Sequence, residues 1–96
     1  MILHTVNTSP FSTFSLQDCL KQLESNDKLL LLGDAVLAAS ASVEQQSLLL
    51  QLDKEQRLFI LDVDLTARGL HAIYGEVIDY PRFVQLSIAC KSQLAW

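Results

Sequence analysis

Two thiols, two imidazoles and a few clustered carboxylates are the groups in this chain with the means to do chemistry. Cys19 is the one with a possible covalent role, because a thiolate can carry a sulfane sulfur as a persulfide. It falls in the first turn of a helix read from Ser15 onward. There the helix dipole favours the thiolate, while the adjacent Asp18 opposes it by like-charge repulsion. Cys19 also lies on the apolar stripe Leu16, Cys19, Leu20 and Leu23, so packing as a small buried hydrophobe is the competing reading. Cys90, seven residues after Phe83, reads as a core position. His4 on a buried-looking strand and His71 in a loop have no second His, Cys or carboxylate at ligand spacing. Both read as structural or solvated, and no metal site is expected.

The remaining polar groups have simple explanations. Asp62 and Asp64 flank a strand end, where helix capping is their natural use. Arg68, beside Gly69, is placed to pair with the last carbonyls of a helix or with a partner. No Ser-His-Asp order, nucleophile elbow or convincing carboxylate pair is present. The loops Asn7–Ser12 and Gly33–Asp34 follow predicted strands, which is where open α/β sheets bind ligands. Neither contains GxGxxG or the Walker-type GxxxxGK pattern, and Asp34 would repel an anion, so no nucleotide cofactor is expected.

The elements that must position these residues follow from the apolar periodicity. Ile2–Val6 reads as a strand, followed by a polar loop Asn7–Thr13 containing Pro10. Ser15 serves as N-cap of a helix, with Asp18 completing a variant capping box and Ser25, Asn26 and Asp27 ending it. Leu29–Leu32 lacks polar alternation, as expected of a central strand covered on both faces. Asp34–Ala41 and Val43–Leu52 read as helical, Leu58–Leu61 as a strand, and Leu65–Leu70 as one helical turn stopped by Gly69. A further strand is read at Val77 and Ile78, then a helix from Tyr80 and Pro81 to Cys90, then a strand over Gln93–Trp96. The alternation predicts one α/β domain over residues 1–96, flavodoxin-like or Rossmann-like, with a mostly parallel sheet and helices on both faces.

Composition bounds the function. A chain of 96 residues has room for one core, since single domains usually hold on the order of 100 to 150 residues. Apolar residues make up 50% of it and the mean hydropathy is +0.27, so part of its apolar surface is expected to meet another chain. The longest aliphatic run, Leu29–Leu32, is far short of the roughly 20 residues that span a bilayer. No membrane segment or secretory signal is read, and with two cysteines and no CxxC, reduced thiols in the cytoplasm are expected. A net charge of −4 argues against direct binding of nucleic acid. A tail ending in Leu94, Ala95 and Trp96 is expected to dock, on its own domain or in an interface.

Four segments, LHTVNTSPF (Leu3–Phe11), LTARGL (Leu65–Leu70), IDY (Ile78–Tyr80) and QLAW (Gln93–Trp96), together resemble the TusB/DsrH family over nearly the whole chain. The resemblance implies a cytoplasmic sulfur-relay subunit of the DsrE/DsrF/DsrH-like fold group. Its partners would be TusC/DsrF-like and TusD/DsrE-like subunits in a dimer of heterotrimers. In the Tus branch such a complex passes persulfide sulfur from a TusA-like donor to a TusE-like acceptor for 2-thiolation of the wobble uridine of tRNA. In the Dsr branch a similar complex serves sulfur oxidation. The principal persulfide cysteine would sit on the TusD/DsrE-like subunit, leaving this chain mainly structural or accessory. DsrH-like members carry a cysteine in an S-L-x-x-C-L context, matched here by Ser15, Leu16, Cys19 and Leu20, which makes Cys19 the candidate persulfide carrier. The alternative without sulfur chemistry is a flavodoxin-like binding or regulatory module.

Overall fold

Aliphatic strands alternating with segments of helical period fold into a wholly parallel arrangement. The computed structural model describes all of residues 1–96. Its strands are β1 (Ile2–Val6), β2 (Lys28–Leu31), β3 (Leu58–Leu61), β4 (Glu76–Ile78) and β5 (Ser92–Ala95). They form one sheet in the order β4-β3-β2-β1-β5, every neighbour parallel. The helices are α1 (Ser15–Gln22), α2 (Leu37–Ser40, entered through a 3-10 turn over Gly33–Val36), α3 (Gln46–Lys54), α4 (Asp62–Ala67) and α5 (Tyr80–Ala89).

Strand order dictates the layering. From β1 to β4 the chain advances in one direction, and right-handed crossovers put the intervening helices on a single face. Beneath them lies the larger core, where Val6, Leu29, Leu31, Leu58 and Ile60 meet Leu16, Cys19, Leu49 and Leu65. The return from β4 to β5, beyond β1, reverses the direction and sends α5 alone to the other face. There Leu86 and Cys90 close a smaller core over Leu3, Leu30, Phe59 and Ile78. The expected central strand is the third of the five, and Leu29, Leu30 and Leu31 are all fully buried.

Local expectations change at several points, three of which bear on the site. Ser15 is the first helical residue of α1 and not its cap: Phe14 holds the N-cap position, and the Ser15 amide donates to Thr13 Oγ1 at 3.4 Å. The helix expected at Leu65–Leu70 starts at Asp62, directly after β3, and ends where Gly69 adopts φ +63°. There the Leu70 amide donates to the Leu65 carbonyl and the Gly69 amide to that of Thr66, a Schellman closure. The strand read at Gln93–Trp96 is shifted back by one residue, to Ser92–Ala95.

The same closure ends α3, with Arg57 donating to Leu52 and Gln56 to Asp53, but here a glutamine occupies the left-handed position at φ +59°. An L-residue with a Cβ costs roughly 1 kcal/mol there relative to glycine. Gln56→Gly is therefore expected to raise stability by about 0.5–1 kcal/mol, read as a higher urea midpoint at unchanged slope.

Candidate functional site

The residues singled out from the sequence fall into several separate places. At the amino ends of the central strands, Asp27 is 3% exposed and its carboxylate is fully engaged. Oδ1 accepts from the Ile2 amide at 2.9 Å, and Oδ2 accepts from the Glu24 amide at 3.1 Å and lies 2.9 Å from His4 Nε2. Its carbonyl accepts from Arg57 Nε at 2.7 Å, and the same guanidinium donates to the Glu24 carbonyl. Burial pushes the Asp27 carboxyl up, but the bonds from His4, Glu24 and Ile2 together outweigh it and hold the group below its ordinary value.

His4 is 2% exposed and bridges this carboxylate to Trp96. The indole Nε1 donates to His4 Nδ1 at 3.0 Å, and the ring centroids lie 6.1 Å apart with 26° between the planes. An indole N–H can only donate, so Nδ1 carries no proton and Nε2–H donates to Asp27. The backbone helps, as the Trp96 amide donates to the Thr5 carbonyl at 2.9 Å. Trp96 thus docks on its own domain, and His4, read from sequence as lacking a carboxylate, has one 23 residues further on. Sequence did hold a signal. A buried histidine must find partners, and parallel neighbours that start level put the residue before β2 beside the start of β1.

Cys19 lies in the larger core with no exposed surface. Burial, followed by the nearby Asp27 charge, pushes its thiol up to about 12, so in this conformation it is a protonated packing residue at neutral pH. Cys90 is buried in the smaller core on the opposite side of the sheet, and both cysteines are free. The sheet separates them, which excludes relay from one to the other within the chain.

At the carboxyl ends, Asp64 does not cap its own helix. Its Oδ2 accepts from the Gly33 amide at 2.8 Å, and Arg68 bridges to Asp34 Oδ1 at 2.9 Å and to the Asp64 carbonyl at 3.0 Å. Gly33 is required here, since at φ +55° a Cβ would stand 2.8 Å from the Asn7 carbonyl oxygen. The backbone donor that follows β2 is thereby filled by the protein's own carboxylate. Asp62 is half-buried and His71 exposed, neither joined to this cluster, and no group of three His, Cys, Asp or Glu side chains is placed to hold a metal ion. Beside the first loop, Phe11 and Phe14 are 65% and 75% exposed and border an open depression of about 540 Å³ closed opposite by Val43 and Gln45.

Comparison with known proteins adds the following. A family model described as DsrH like protein matches residues 8–93. Protein TusB of Yersinia pestis (strain Pestoides F) is 38% identical over 98 aligned positions, covering 99% of this chain and 100% of the relative. Protein TusB of Yersinia pseudotuberculosis serotype O:1b (strain IP 31758) matches to the same extent. The crystal structure of the ychN protein from E.coli superposes with a TM-score of 0.78 at 23% identity, over 99% of this chain and 97% of that one. That last likeness concerns the fold.

Two outcomes follow from the buried network. Because the folded Asp27 carboxyl titrates below its ordinary 3.8, its contribution is fully present above that pH. It is lost as pH falls through the lower folded value. Asp27→Asn should cost about 2–3 kcal/mol at neutral pH and flatten the decline of the urea midpoint below pH 4. Deleting Leu94–Trp96 should lower the melting temperature by about 5–15 °C, as a large aromatic and its hydrogen bonds are lost. An unchanged melt would mean that the tail contributes nothing.

Proposed function

Because the chain belongs to the TusB/DsrH family, we propose that it is the accessory, mainly structural subunit of a cytoplasmic sulfur-relay complex serving 2-thiolation of the tRNA wobble uridine. Its partners in this reading are TusC/DsrF-like and TusD/DsrE-like homologues in a dimer of heterotrimers. The complex takes persulfide sulfur from a TusA-like donor and hands it to a TusE-like acceptor. The observation that carries the tRNA branch is the 38% identity with Protein TusB along the full length of both chains.

The accessory role rests on chemistry within the fold. Sulfur transfer needs a thiolate reachable by a donor and an acceptor. Cys19 meets neither condition, being fully buried and protonated, and Cys90 is buried as well. Surface apolarity supports an assembly: Phe11 and Phe14 on one side and Tyr80 and Ile88 on the other are 61–79% exposed, more large apolar surface than a lone domain needs to show. The net charge of −4 supports leaving RNA to other components. No helix is long and apolar enough to cross a membrane.

The test is to prepare the chain with its TusC-like and TusD-like partners, load the complex from a persulfide donor, and measure the intact mass of each subunit before and after reduction. The expected result is a reducible gain of one sulfur on the TusD-like subunit, none on this chain, and unchanged transfer to the acceptor in a Cys19→Ser complex. That substitution should still cost roughly 1–3 kcal/mol of stability, because a hydroxyl replaces a thiol in an apolar site. A sulfur mapping to Cys19, with transfer lost on substitution, would establish instead the sulfur-carrying role suggested by its S-L-x-x-C-L context. A complex in which no subunit takes up sulfur would favour a binding or regulatory module.

A further inference from the structure

The Trp96–His4–Asp27 chain has a property that its packing role does not require. Each bond in it fixes the next: the indole N–H only donates, so it occupies the one lone pair of a neutral imidazole, and the other ring nitrogen donates to the carboxylate. Protonating His4 places an N–H on Nδ1, facing the indole N–H, and two donors cannot share a hydrogen bond. The other partner gains from the same event, because Asp27 is an acceptor whose negative charge attracts the imidazolium. The conflict is resolved on one side only, with His4 keeping Asp27 and giving up Trp96.

The surroundings favour this outcome. The ionisable groups around the imidazole are the Asp27 carboxylate before β2, the Cys19 thiol on α1 near that carboxylate, and the Arg57 guanidinium before β3, committed to the Asp27 and Glu24 carbonyls. Lys28 lies on the opposite face, its ammonium 5.4 Å from the Phe59 ring. Trp96 and β5 bring no ionisable side chain. β5 itself is an edge strand with every residue exposed, paired only with β1. Without its tryptophan, β5 is held by its backbone ladder to β1 and by Gln93 Nε2 donating to the Ser87 carbonyl, with no buried side chain of its own.

We propose that the His4–Trp96 hydrogen bond is a proton-sensitive latch: protonation of His4 unseats Trp96 and loosens β5 from β1 while the rest of the sheet stays folded. The release exposes the backbone edge of β1, an edge able to accept another strand. Because Asp27 titrates at lower pH, it remains a carboxylate throughout.

Trp96 is the single tryptophan of the chain, so its emission reports the latch directly. The measurement is emission, together with hydrogen exchange of the 92–96 amides corrected for intrinsic rate, between about pH 8 and pH 5. Expected on acidification are a red shift and a loss of Trp96 amide protection on the order of fivefold, with far-UV circular dichroism and the amides of β2 and β3 unchanged. His4→Gln, which offers an acceptor and a donor but cannot become a cation, should show no response. Should that variant fail to fold, Trp96→Phe keeps the ring and removes the opposing donor, and exchange of its 92–96 amides should lose its pH dependence. Emission and protection that stay flat in the unaltered chain would overturn the proposal. So would a pH response that persists in His4→Gln or Trp96→Phe.

Discussion

The fold hangs on one buried carboxylate. Asp27 joins the start of β1 through the Ile2 amide, the end of α1 through the Glu24 amide, and the middle of β1 through His4. Arg57 adds the start of β3 by gripping the Asp27 carbonyl. An ionised carboxylate is expensive to bury unless its acceptor sites are met, and here three donors converge on it, with no buried side-chain polar atom left unsatisfied in the chain. Apolar burial supplies the bulk of the stabilisation but is non-directional. The carboxylate is directional, and it fixes how far β1, β2 and β3 are slid relative to one another.

A second constraint acts at the opposite, carboxyl ends of the strands. Gly33 lets the chain turn tightly against Asn7, and Asp64 fills the amide that this turn exposes. In many parallel sheets such a position receives a phosphate. A fixed carboxylate flanked by Asp34 presents the wrong charge for one, and Arg68 is spent on neutralising the pair. The fold thus retains the architecture of a ligand-binding sheet while its usual ligand position is occupied from within. This accords with a chain whose exposed features are apolar side chains and not a reactive cleft.

Much of this was legible in the sequence, for identifiable reasons. The unbroken apolar run around Leu29–Leu31 announces a doubly covered central strand, and Pro81 after Tyr80 announces the helix that follows β4. The stripe Leu16, Cys19, Leu20 and Leu23 shows which way α1 faces, although the same pattern leaves the cysteine's accessibility undecided until packing is known. What the sequence hid depends on distance along the chain. His4, Asp27 and Trp96 are separated by 23 and 69 positions, and only the parallel register and the return of β5 beside β1 bring them together. The Asp64–Gly33 contact is hidden in the same way. The misplaced start of α4 has a local cause: Asp62 and Asp64 read as caps of a helix that begins later, and only the abrupt passage from β3 puts both inside its first turn.

The placement of one thiol on each side of the sheet makes the molecule its own stopwatch. Neither sulfur can react with a bulky reagent until the layer above it lifts, so the labelling rate at Cys19 times the opening of the helix-rich side and that at Cys90 times the opening under α5. Equal rates would mean that the domain opens all at once. Unequal rates would mean that the side guarded by a single helix breathes on a separate clock, a kinetic independence written into the strand order at the step that sends the chain back past β1.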